Sequence, residues 1–553
     1  MSDDYEMWFN EAFDKGEQGD WRGAIELYKK VVEAKPDYQA AWFNMGLMYS
    51  NSFEYDESIE CYKKAIELDP TDGAAWDNLG FVYNRTGEYE EAIRCHKEAI
   101  EKRLPNAANA WNNLGIAYHN VNDFKNAEDA YKKAIELNPS FNFPYRNVAD
   151  VYIDTGEYKL AEEYYKKAIE IDEEYVSAWN GLGNALWNQN AYEDAKEAYT
   201  RAMELDPTFK FAWKNMGDLL VETGGNEAAI EYYLKTLDLD PDYISAWNGL
   251  GNSYYNLGDF ENARKAYEKA LELDSNYKFA LRNLGDLSYD ERRYRDAIEY
   301  YEKVLNMVPD DVSVLNSLAN CYYGLDEFSK AKEIYEKALE IDPEYKYAMA
   351  NIGNLLYAQD NYTEAVEYFK KAIEIDPDYT FAINGLGNSY LELGAYKEAR
   401  DCYQKLLENN PEDDDGLINM GVVHSRLGEY SKSIEYYTKL IELKEAKKET
   451  PPTLVLNNLA LSYESLGEIN KTAETYQKLL TFFPEDAKAY FDLGMCYKKL
   501  SEDKKAEEVF IKALQYDPAT YEPKIRSEGL SPEELWGRQL LKNFRTKKLG
   551  TSS

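Results

Sequence analysis

The sequence has few histidines, few cysteines and a deficit of basic residues. Of its 553 residues, three are histidine and five are cysteine. Lys and Arg number 63 against 102 Asp and Glu, so the formal net charge is −39 at pH 7. Nucleic acids and anionic membranes are bound by clustered Lys and Arg, and this charge balance therefore argues against both as partners.

Long apolar runs are also missing, and the first residues do not read as a signal peptide. No apolar stretch approaches the roughly 18–20 residues of a membrane-spanning helix. The start, MSDDYEMWFNEAFDKGEQ, has neither the basic nor the apolar region of a signal peptide. An odd number of cysteines without paired spacing is typical of reduced thiols inside the cell. We therefore expect a cytoplasmic protein that does not act at a membrane.

What the chain does contain is an internal repeat. The segment SAWNGLGNALWN at Ser177–Asn188 returns as SAWNGLGNSYYN at Ser245–Asn256, 68 residues later. Halfway between them, FAWKNMGDLLVE at Phe211–Glu222 has the same apolar skeleton. The unit is therefore 34 residues long, with a weaker period of two units. Such repetition indicates a fold in which each unit packs on its neighbours, without the single core that would limit chain length.

Each unit has a fixed pattern of apolar and small residues. Positions four, seven, eight and eleven hold an aromatic residue, Leu or Met, Gly or Ala, and Tyr, while positions 20, 24, 27 and 32 hold Ala, Tyr, Ala and Pro. In the fourth unit these residues are Trp111, Leu114, Gly115, Tyr118, Ala127, Tyr131, Ala134 and Pro139. Offsets of three and four place the apolar residues on one face of a helix, so the pattern predicts two helices in each unit.

The breaks between the predicted helices have the expected residues. Gly156 and Gly258 suit a left-handed residue that ends the first helix, and Asn122, Asn190 and Asp326 stand at that place in other units. Proline after aspartate, as at Pro70, Pro207 and Pro241, should end the second helix. The small residues at positions 8, 20 and 27 mark close contacts between helices. A leucine at Gly183 or Ala195 should therefore overpack, at a cost of about 1–3 kcal/mol.

This pattern closely resembles that of the tetratricopeptide repeat family. Fifteen units match in phase, at residues 5–38, 39–72, 73–107, 108–141, 142–175, 176–209, 210–243, 244–277, 278–311, 312–345, 346–379, 380–413, 414–452, 453–486 and 487–520. The resemblance implies an all-α, right-handed superhelical solenoid of about fifteen helix hairpins plus a C-terminal capping helix. It also implies that first helices line an inner, concave wall and second helices an outer wall.

Irregularities in the repeat suggest the domain boundaries. The third unit has one extra residue near Arg103–Pro105, and the thirteenth has five, within 443–454, where Pro451–Pro452 ends any helix. We predict a main array at 1–452, two final units at 453–520 and a capping helix with a frayed tail at 521–553. The alternative for 443–454 is a longer surface helix and loop.

The capping helix is predicted from a start signal and an apolar stripe. Ser531 with Glu534 forms a capping box, and Pro532 takes the first helical position. A helix covering the last unit is one interpretation, and a partner site is the other. The stripe and the following basic run consist of Leu535, Trp536, Leu540 and Phe544, then Arg545, Lys547 and Lys548.

Candidate catalytic and metal-ligating residues are scarce. The sequence has no phosphate-binding loop, dinucleotide-binding turn or nucleophile elbow. His96 and His424 replace tyrosines of the repeat pattern and are expected in the core, while His119 lies near the inner wall. No histidine recurs with cysteine or carboxylate at metal-ligand spacing. We therefore predict a protein that is not an enzyme and has no cofactor and no metal site.

The informative residues are polar and lie on the first helix of each unit. Positions five, six and nine avoid the apolar positions, so we expect them to face the groove. Units 6, 8, 10 and 12 have Asn, then Gly or Ser, then Asn at these positions, whereas units 5, 7 and 9 have Arg or Lys, then Asn, then Asp. The candidate peptide-binding residues are Asn78, Asn113, Asn147, Asn180, Asn184, Asn215, Asn248, Asn252, Asn283, Asn316, Asn320, Asn351, Asn354, Asn384, Asn388, Asn419, Arg146, Lys214 and Arg282.

A carboxamide can pair with both the N–H and the C=O of an extended peptide, so a row of them would bind backbone of any sequence. This row is similar to the asparagine ladder in the repeat portion of O-linked N-acetylglucosamine transferase; nothing here resembles its catalytic domain. The Arg or Lys side chains at position five would either pair with the aspartates at position nine or contact charged side chains of the ligand. Gly181, Gly249 and Gly385 favour a binding role, because a helical glycine costs about 0.5–1 kcal/mol and leaves room at the wall. The alternative is that Asn is merely inherited with the repeat template.

The sequence thus predicts a non-enzymatic scaffold that binds an extended peptide or partner segment in its groove. Two alternatives stay open. One is a structural subunit that organises a complex or self-assembles through its outer faces. The other is an accessory protein that presents substrates to a separate enzyme. The expected partner is a protein or peptide, and a monomer is favoured.

Overall fold

The structure, a computed structural model, describes residues 4–102 and 107–537. Within these ranges it contains helices and short connections but no strand. Thirty-one of the helices have ten or more residues. The chain forms two compact segments, 1–283 and 284–553, which we call the N-segment and the C-segment.

The helices that begin in the N-segment are α1 (Asp4–Glu17), α2 (Trp21–Ala34), α3 (Gln39–Asn51), α4 (Tyr55–Leu68), α5 (Gly73–Thr86), α6 (Tyr89–Glu101), α7 (Ala107–Asn120), α8 (Phe124–Leu137), α9 (Asn142–Asp154), α10 (Tyr158–Ile171), α11 (Val176–Trp187), α12 (Tyr192–Leu205), α13 (Lys210–Glu222), α14 (Asn226–Leu239), α15 (Ile244–Asn256), α16 (Phe260–Leu273) and α17 (Lys278–Asp290).

The helices of the C-segment are α18 (Tyr294–Met307), α19 (Val312–Gly324), α20 (Phe328–Ile341), α21 (Lys346–Ala358), α22 (Tyr362–Ile375), α23 (Thr380–Glu392), α24 (Tyr396–Asn409), α25 (Asp414–Arg426), α26 (Tyr430–Ala446), α27 (Thr453–Ser465), α28 (Ile469–Phe482), α29 (Ala487–Lys499), α30 (Asp503–Tyr516) and α31 (Pro518–Ser527). Each of the fifteen repeats thus supplies one odd-numbered and one even-numbered helix, which confirms the predicted all-α array of hairpins.

The turns between paired helices have the predicted left-handed residue. Gly156 and Gly258 have φ of 78° and 76°, and Asn122, Asn190 and Asp326 have φ of 60° to 61°. Because glycine carries no Cβ and asparagine or aspartate tolerates this conformation, these residues let the chain reverse within one turn. The second helices end where predicted, directly before the Asp-Pro pairs.

Tight contacts inside each hairpin depend on the small residue at position eight. A Cβ added at Gly183 would come within 2.4 Å of Cε1 of Tyr199, the position-24 residue of the same repeat. Tyr199 and Ala195 are fully buried. The prediction that this is a close-contact point is therefore confirmed.

Successive repeats approach each other more closely on one side. In the N-segment, α5 contacts α7 and α9 contacts α11; in the C-segment, α21 contacts α23 and α25 contacts α27. Successive even-numbered helices of the described residues make no comparable contact. The first helices therefore form the shorter side of each stack, which we call the inner wall.

The chain after repeat 12 departs from the regular pattern in two places. Helix α26 has 17 residues, and Pro452 stands at the N-terminus of α27. One hydrophobic core extends from Leu440 of α26 through Leu456 of α27, so packing continues across the two prolines. The predicted domain boundaries at 452/453 and 520/521 stay predictions. The extra residue near Arg103–Pro105 lies outside the described residues.

The C-terminal end contains one helix that was not predicted. Helix α31 begins at Pro518, with the Asp517 carboxylate accepting from the N–H of Thr520. Residues 532–537 are helical, the N–H of Glu534 donates to Ser531 Oγ at 3.3 Å, and Leu535 is buried in the core of the last repeats. The first turn of the predicted capping helix is thus present. The rest of its stripe and the basic run lie outside the described residues. None of the described helices combines the length and the apolar composition needed to cross a membrane.

Candidate functional site: carboxamide clusters on the inner wall

The predicted asparagines meet in clusters where an even-numbered repeat adjoins the next odd-numbered one. Between repeats 6 and 7, Asn215 Nδ2 donates to Asn180 Oδ1 and to Asn184 Oδ1, both at 3.0 Å. The hydroxyl of Tyr199 donates to the same Asn184 Oδ1 at 2.8 Å. Because a carboxamide oxygen has two lone pairs, the Asn184 acceptor is fully used by its own repeat and the next.

The same cluster recurs every 68 residues, with hydrogen bonds of 2.5 to 3.3 Å. Its members are Asn248, Asn252, Tyr267 and Asn283; Asn316, Asn320, Tyr335 and Asn351; and Asn384, Asn388, Tyr403 and Asn419. Between repeats 4 and 5 a shorter version joins Asn147 Nδ2 to Asn112 Oδ1 at 2.9 Å. The clusters bridge seams between repeats, which the sequence did not predict.

Each full cluster still has hydrogen-bonding capacity to spare. Within the described residues, Nδ2 of the position-nine asparagine donates to no protein atom in any of the four clusters, and neither does Nδ2 of the position-five asparagine. These side chains are half-buried rather than sealed. A cluster therefore presents two oriented NH₂ groups at the inner wall, while its oxygens are held by the seam.

The position-six glycines do not serve the purpose that the sequence indicated. A Cβ on Gly181 would lie 2.3 Å from Cε1 of Tyr165, and one on Gly249 would lie 2.5 Å from Cε1 of Tyr233. At Gly385 the closest atom would be Cζ of Phe369, at 2.3 Å. The interpretation that these glycines leave room for a ligand is therefore wrong, because the aromatic ring of the preceding repeat fills that space.

In repeats 5 and 7, charged residues stand at positions five and nine in place of the amides. The Tyr165 hydroxyl donates to Asp150 Oδ1 at 2.5 Å, and Arg146 Nε lies 3.0 Å from Asp150 Oδ2. Burial raises the pKa of the Asp150 carboxyl, although Arg146 acts in the opposite direction. Lys214 and Asp218 are paired in the same way. Of the two roles that the sequence left open for Arg146 and Lys214, the structure shows pairing within the repeat.

This alternation gives a physical reason for the two-repeat period. An asparagine at position six reaches back to two amides, whereas a glycine there admits the preceding aromatic ring. On every second seam the following repeat has asparagine at position six, and its two hydrogen bonds require amides at positions five and nine of the preceding repeat. Where the following repeat has glycine, an ion pair can take those two positions. The period is thus a consequence of how successive repeats dock.

Besides Arg146 and Lys214, four of the predicted site residues join no cluster. Asn78 Nδ2 donates to the Ala74 carbonyl of its own helix at 2.9 Å. The Asn113 carbonyl accepts from the Asn84 side chain at 3.0 Å, and Asn354 Nδ2 donates to the Tyr323 hydroxyl at 3.3 Å. Arg282 is exposed.

The sequence analysis missed two sets of residues on this wall. Asn112 and the position-24 tyrosines complete the clusters, and a comparison of position five across all repeats would have found Asn112. The second set is a row of aromatic residues at position two of alternate repeats. These residues are between 44% and 53% exposed, and they are Phe143, Phe211, Phe279 and Tyr347.

The exposed aromatic row shares a helix face with the amides. Position two precedes positions six and nine by four and seven residues, which are whole turns of a helix. Lys210 Nζ lies 5.5 Å from the ring centre of Phe211, and Lys346 Nζ lies 5.1 Å from that of Tyr347. Both lysines also pair with an aspartate, Asp240 or Asp376. The lysine stems thus cover part of rings that would otherwise face solvent.

Most of the few histidines and cysteines are buried. His96 and His424 are buried, as predicted, with Nδ1 of each 2.7 Å from a carboxylate oxygen. All five cysteines are free, and burial raises the pKa of the Cys95 thiol to about 12. Among the described residues, no three His, Cys, Asp or Glu side chains converge as a metal site would require.

Comparison with solved structures finds similar helical arrays. One is the Cut9 and Hcn1 hetero-tetramer of APC/C, with 16% identity, 83% of this chain and 96% of that chain covered, and a TM-score of 0.44. Another is Naa15/Naa10 bound to HypK, with 14% identity, 97% and 99% covered, and a TM-score of 0.38. A third is Tom70 of yeast, with 17% identity, 81% and 100% covered, and a TM-score of 0.39. No curated protein matches the chain.

Several profiles described as tetratricopeptide repeat match the sequence. They cover residues 40–72, 71–140, 176–209, 244–277, 279–344, 310–378, 356–442, 458–486 and 487–520. A further profile, described as TPR repeat, covers 149–190 and 217–258. The matches run from residue 40 to residue 520 with short gaps. The chain therefore belongs to the tetratricopeptide repeat family.

Proposed function

We propose that the protein is a non-enzymatic scaffold that binds an extended segment of a partner protein along the inner wall. Tetratricopeptide repeats are protein-interaction modules, and solenoids of this kind bind on the side where repeats lie closest. The observation that supports the proposal is that only the oxygen of each position-nine asparagine side chain is hydrogen-bonded within the described part of the protein. Its oxygen is fixed by a tyrosine and by the next repeat, and its NH₂ group is left over.

The leftover groups suit the carbonyl oxygens of an extended backbone. Asn184 and Asn252 occupy equivalent places, so their NH₂ groups repeat at a regular interval along the wall of the N-segment. Since both hydrogen bonds to each oxygen hold the carboxamide in place, little side-chain entropy remains to be lost on binding. The exposed ring of Phe211, on the repeat between them, supplies an apolar contact for a ligand side chain. Donors for backbone and rings for side chains are what a peptide groove requires.

The test exploits a substitution that already occurs in this chain. Asp150 and Asp218 stand at position nine of other repeats and accept from their tyrosines. Changing Asn184→Asp and Asn252→Asp should therefore preserve the seam and remove only the NH₂ donors. Asn138→Asp with Asn410→Asp is the matched control, because it adds the same charge at position 31, where other repeats have aspartate.

The probe is a set of short unstructured peptides of varied sequence, titrated at physiological salt. We expect the wild type and the control to bind a subset, and the test variant to bind it about tenfold more weakly, since each lost hydrogen bond is worth about 0.5–1.5 kcal/mol. Helix content by circular dichroism should stay the same. The proposal is overturned if the wild type binds no peptide, or if the test variant binds as tightly as the wild type.

A further inference from the structure

The inner wall changes character between repeats 13 and 14. Helices α25, α26 and α27 line an open cavity of about 690 Å³, within the volume range of small-ligand sites. Its lining includes Val422, Arg426, Tyr437, Leu454, Asn458 and Leu461. It lies beyond the last amide cluster, which ends at Asn419.

The cavity lies at a junction that has no amide cluster although the following repeat has asparagine at position six. Repeat 13 has Ile418 at position five and Val422 at position nine, whereas repeats 6, 8, 10 and 12, which also precede a position-six asparagine, have asparagine at both positions. Asn458, the position-six residue of repeat 14, therefore has no carboxamide in the preceding repeat to donate to. In the other clusters the equivalent residue, such as Asn215, makes two such hydrogen bonds.

The same junction contains a buried hydroxyl without a partner. Tyr437 is 1% exposed, and within the described residues no atom is in hydrogen-bonding geometry with its hydroxyl, although Asn458 and Ser433 lie near it. A buried hydroxyl without a hydrogen-bond partner is destabilising. If Asn458 Oδ1 accepted from Tyr437, the Asn458 NH₂ group would face the cavity. A ligand that holds Asn458 in this orientation would thus provide hydrogen-bond partners for both the Tyr437 hydroxyl and the Asn458 NH₂ group.

The charge and the apolar residues of the cavity indicate the ligand chemistry. No carboxylate is among its lining residues, although Asp and Glu make up 102 of the 553 residues. Arg426 is exposed at the cavity, and no described carboxylate lies within ion-pair distance of it. Leu454 and Leu461 are at least half-exposed there. The site therefore offers a cation and an amide donor beside an apolar surface.

We propose that this cavity binds a peptide segment of a partner in which an apolar side chain adjoins a carboxylate. The apolar side chain packs against Val422, Leu454 and Leu461. The carboxylate accepts from the Arg426 guanidinium and from Asn458 Nδ2, while Tyr437 donates to Asn458 Oδ1. This site adds a sequence preference at one end of the wall, and it does not depend on the position-nine amides of the earlier repeats.

The probe is the peptide acetyl-Ala-Leu-Asp-Ala-amide, titrated calorimetrically against the full chain. Versions with Ser for the Leu and with Asn for the Asp test the two halves of the site, and a free-acid version of the Asn peptide distinguishes a terminal carboxylate from a side-chain one. We expect binding of the first peptide and a loss of about tenfold or more for each changed half, because the Asn version loses charge-assisted hydrogen bonds and the Ser version loses the apolar contact. Equal binding of all versions would overturn the proposal, as would no binding of any.

The decisive variant is Val422→Asn, which supplies the acceptor that the other repeats have. It should weaken binding at least tenfold while slowing hydrogen exchange in α25 and α27, because Asn458 and Tyr437 gain partners inside the protein. The matched control is Leu47→Asn at position nine of repeat 2, because Tyr62 at position 24 of that repeat likewise has a buried hydroxyl without a partner. That control should affect exchange in repeat 2 and leave peptide binding unchanged. Unchanged binding by Val422→Asn would refute the site, whatever becomes of the position-nine variants.

Discussion

The substitution Gly181→Ala distinguishes two explanations of the position-six glycines by the sign of its effect. If the glycine served only to leave room for a ligand at the inner wall, alanine would stabilise α11 by about 0.5–1 kcal/mol through helix propensity. In the structure, however, the new Cβ would lie 2.3 Å from Cε1 and 2.4 Å from Cζ of Tyr165. Carbon atoms pack favourably at about 3.5–4 Å, so the ring would have to move by more than 1 Å.

Overpacking of this kind costs about 1–3 kcal/mol. Repeat 10 has Ser317 at the same position, so the preceding ring can yield there and the lower half of that range applies. After subtraction of the propensity gain, we expect a net destabilisation of about 1 kcal/mol, which corresponds to a roughly fivefold change in the opening equilibrium. Hydrogen exchange of peptides from α10 and α11 reports this locally, which suits a repeat protein in which global unfolding is not two-state.

The control for this experiment changes the ring. In a Tyr165→Leu background the atoms that clash with the new Cβ are absent, so Gly181→Ala should slow exchange in α11 instead of accelerating it. The comparison is made within each background, so the cost of losing Tyr165 itself cancels. Slower exchange after Gly181→Ala in the wild-type background would refute the packing explanation.

Three further results are expected. Asn215→Ala should lower the free energy of local opening in α11 and α13 by about 1–2 kcal/mol and so accelerate hydrogen exchange there, because Asn180 and Asn184 lose their shared donor. Asn78→Ala, which removes a hydrogen bond within one helix, should have a smaller effect. Phe211→Ser should weaken peptide binding and change exchange only near α13, because the ring is 44% exposed and packs against the rings of Phe209 and Tyr243; equal binding would remove the aromatic row from the site. Burial raises the pKa of the Cys61 and Cys321 thiols to about 12, so a thiol reagent at pH 8 should modify them only after denaturation, and rapid modification of the folded protein would contradict their burial.

The hairpin array could be predicted in detail because its determinants are local. The spacing of Trp111, Tyr118 and Tyr131 within one repeat defines two helix faces, and the turn at Asn122 is defined by its own backbone conformation. Each of these features depends on residues fewer than 34 positions apart. The extra helix α31 escaped prediction because it follows the last repeat, where the periodic pattern no longer applies.

The candidate site was predicted only in part because its contacts join different repeats. Helical spacing placed Asn184 and Asn215 on the inner face, but their hydrogen bond spans 31 residues and depends on how two repeats dock. The misinterpretation of Gly181 has the same origin, since a projection of one helix omits the ring of Tyr165 from the preceding repeat. The cavity at Val422 did leave a signal in the sequence, namely apolar residues at positions five and nine of repeat 13.

The most direct test of the central claim observes the carboxamides themselves. In protein with ¹⁵N-labelled asparagine, the side-chain resonances of Asn184 and Asn252 can be followed during titration with a peptide that the wild type binds. The account predicts that these NH₂ signals shift and gain exchange protection, whereas those of Asn215 and Asn283, already held across the seams, stay almost unchanged. Shifts confined to Asn215 and Asn283, or no shift at any of the four, would contradict it.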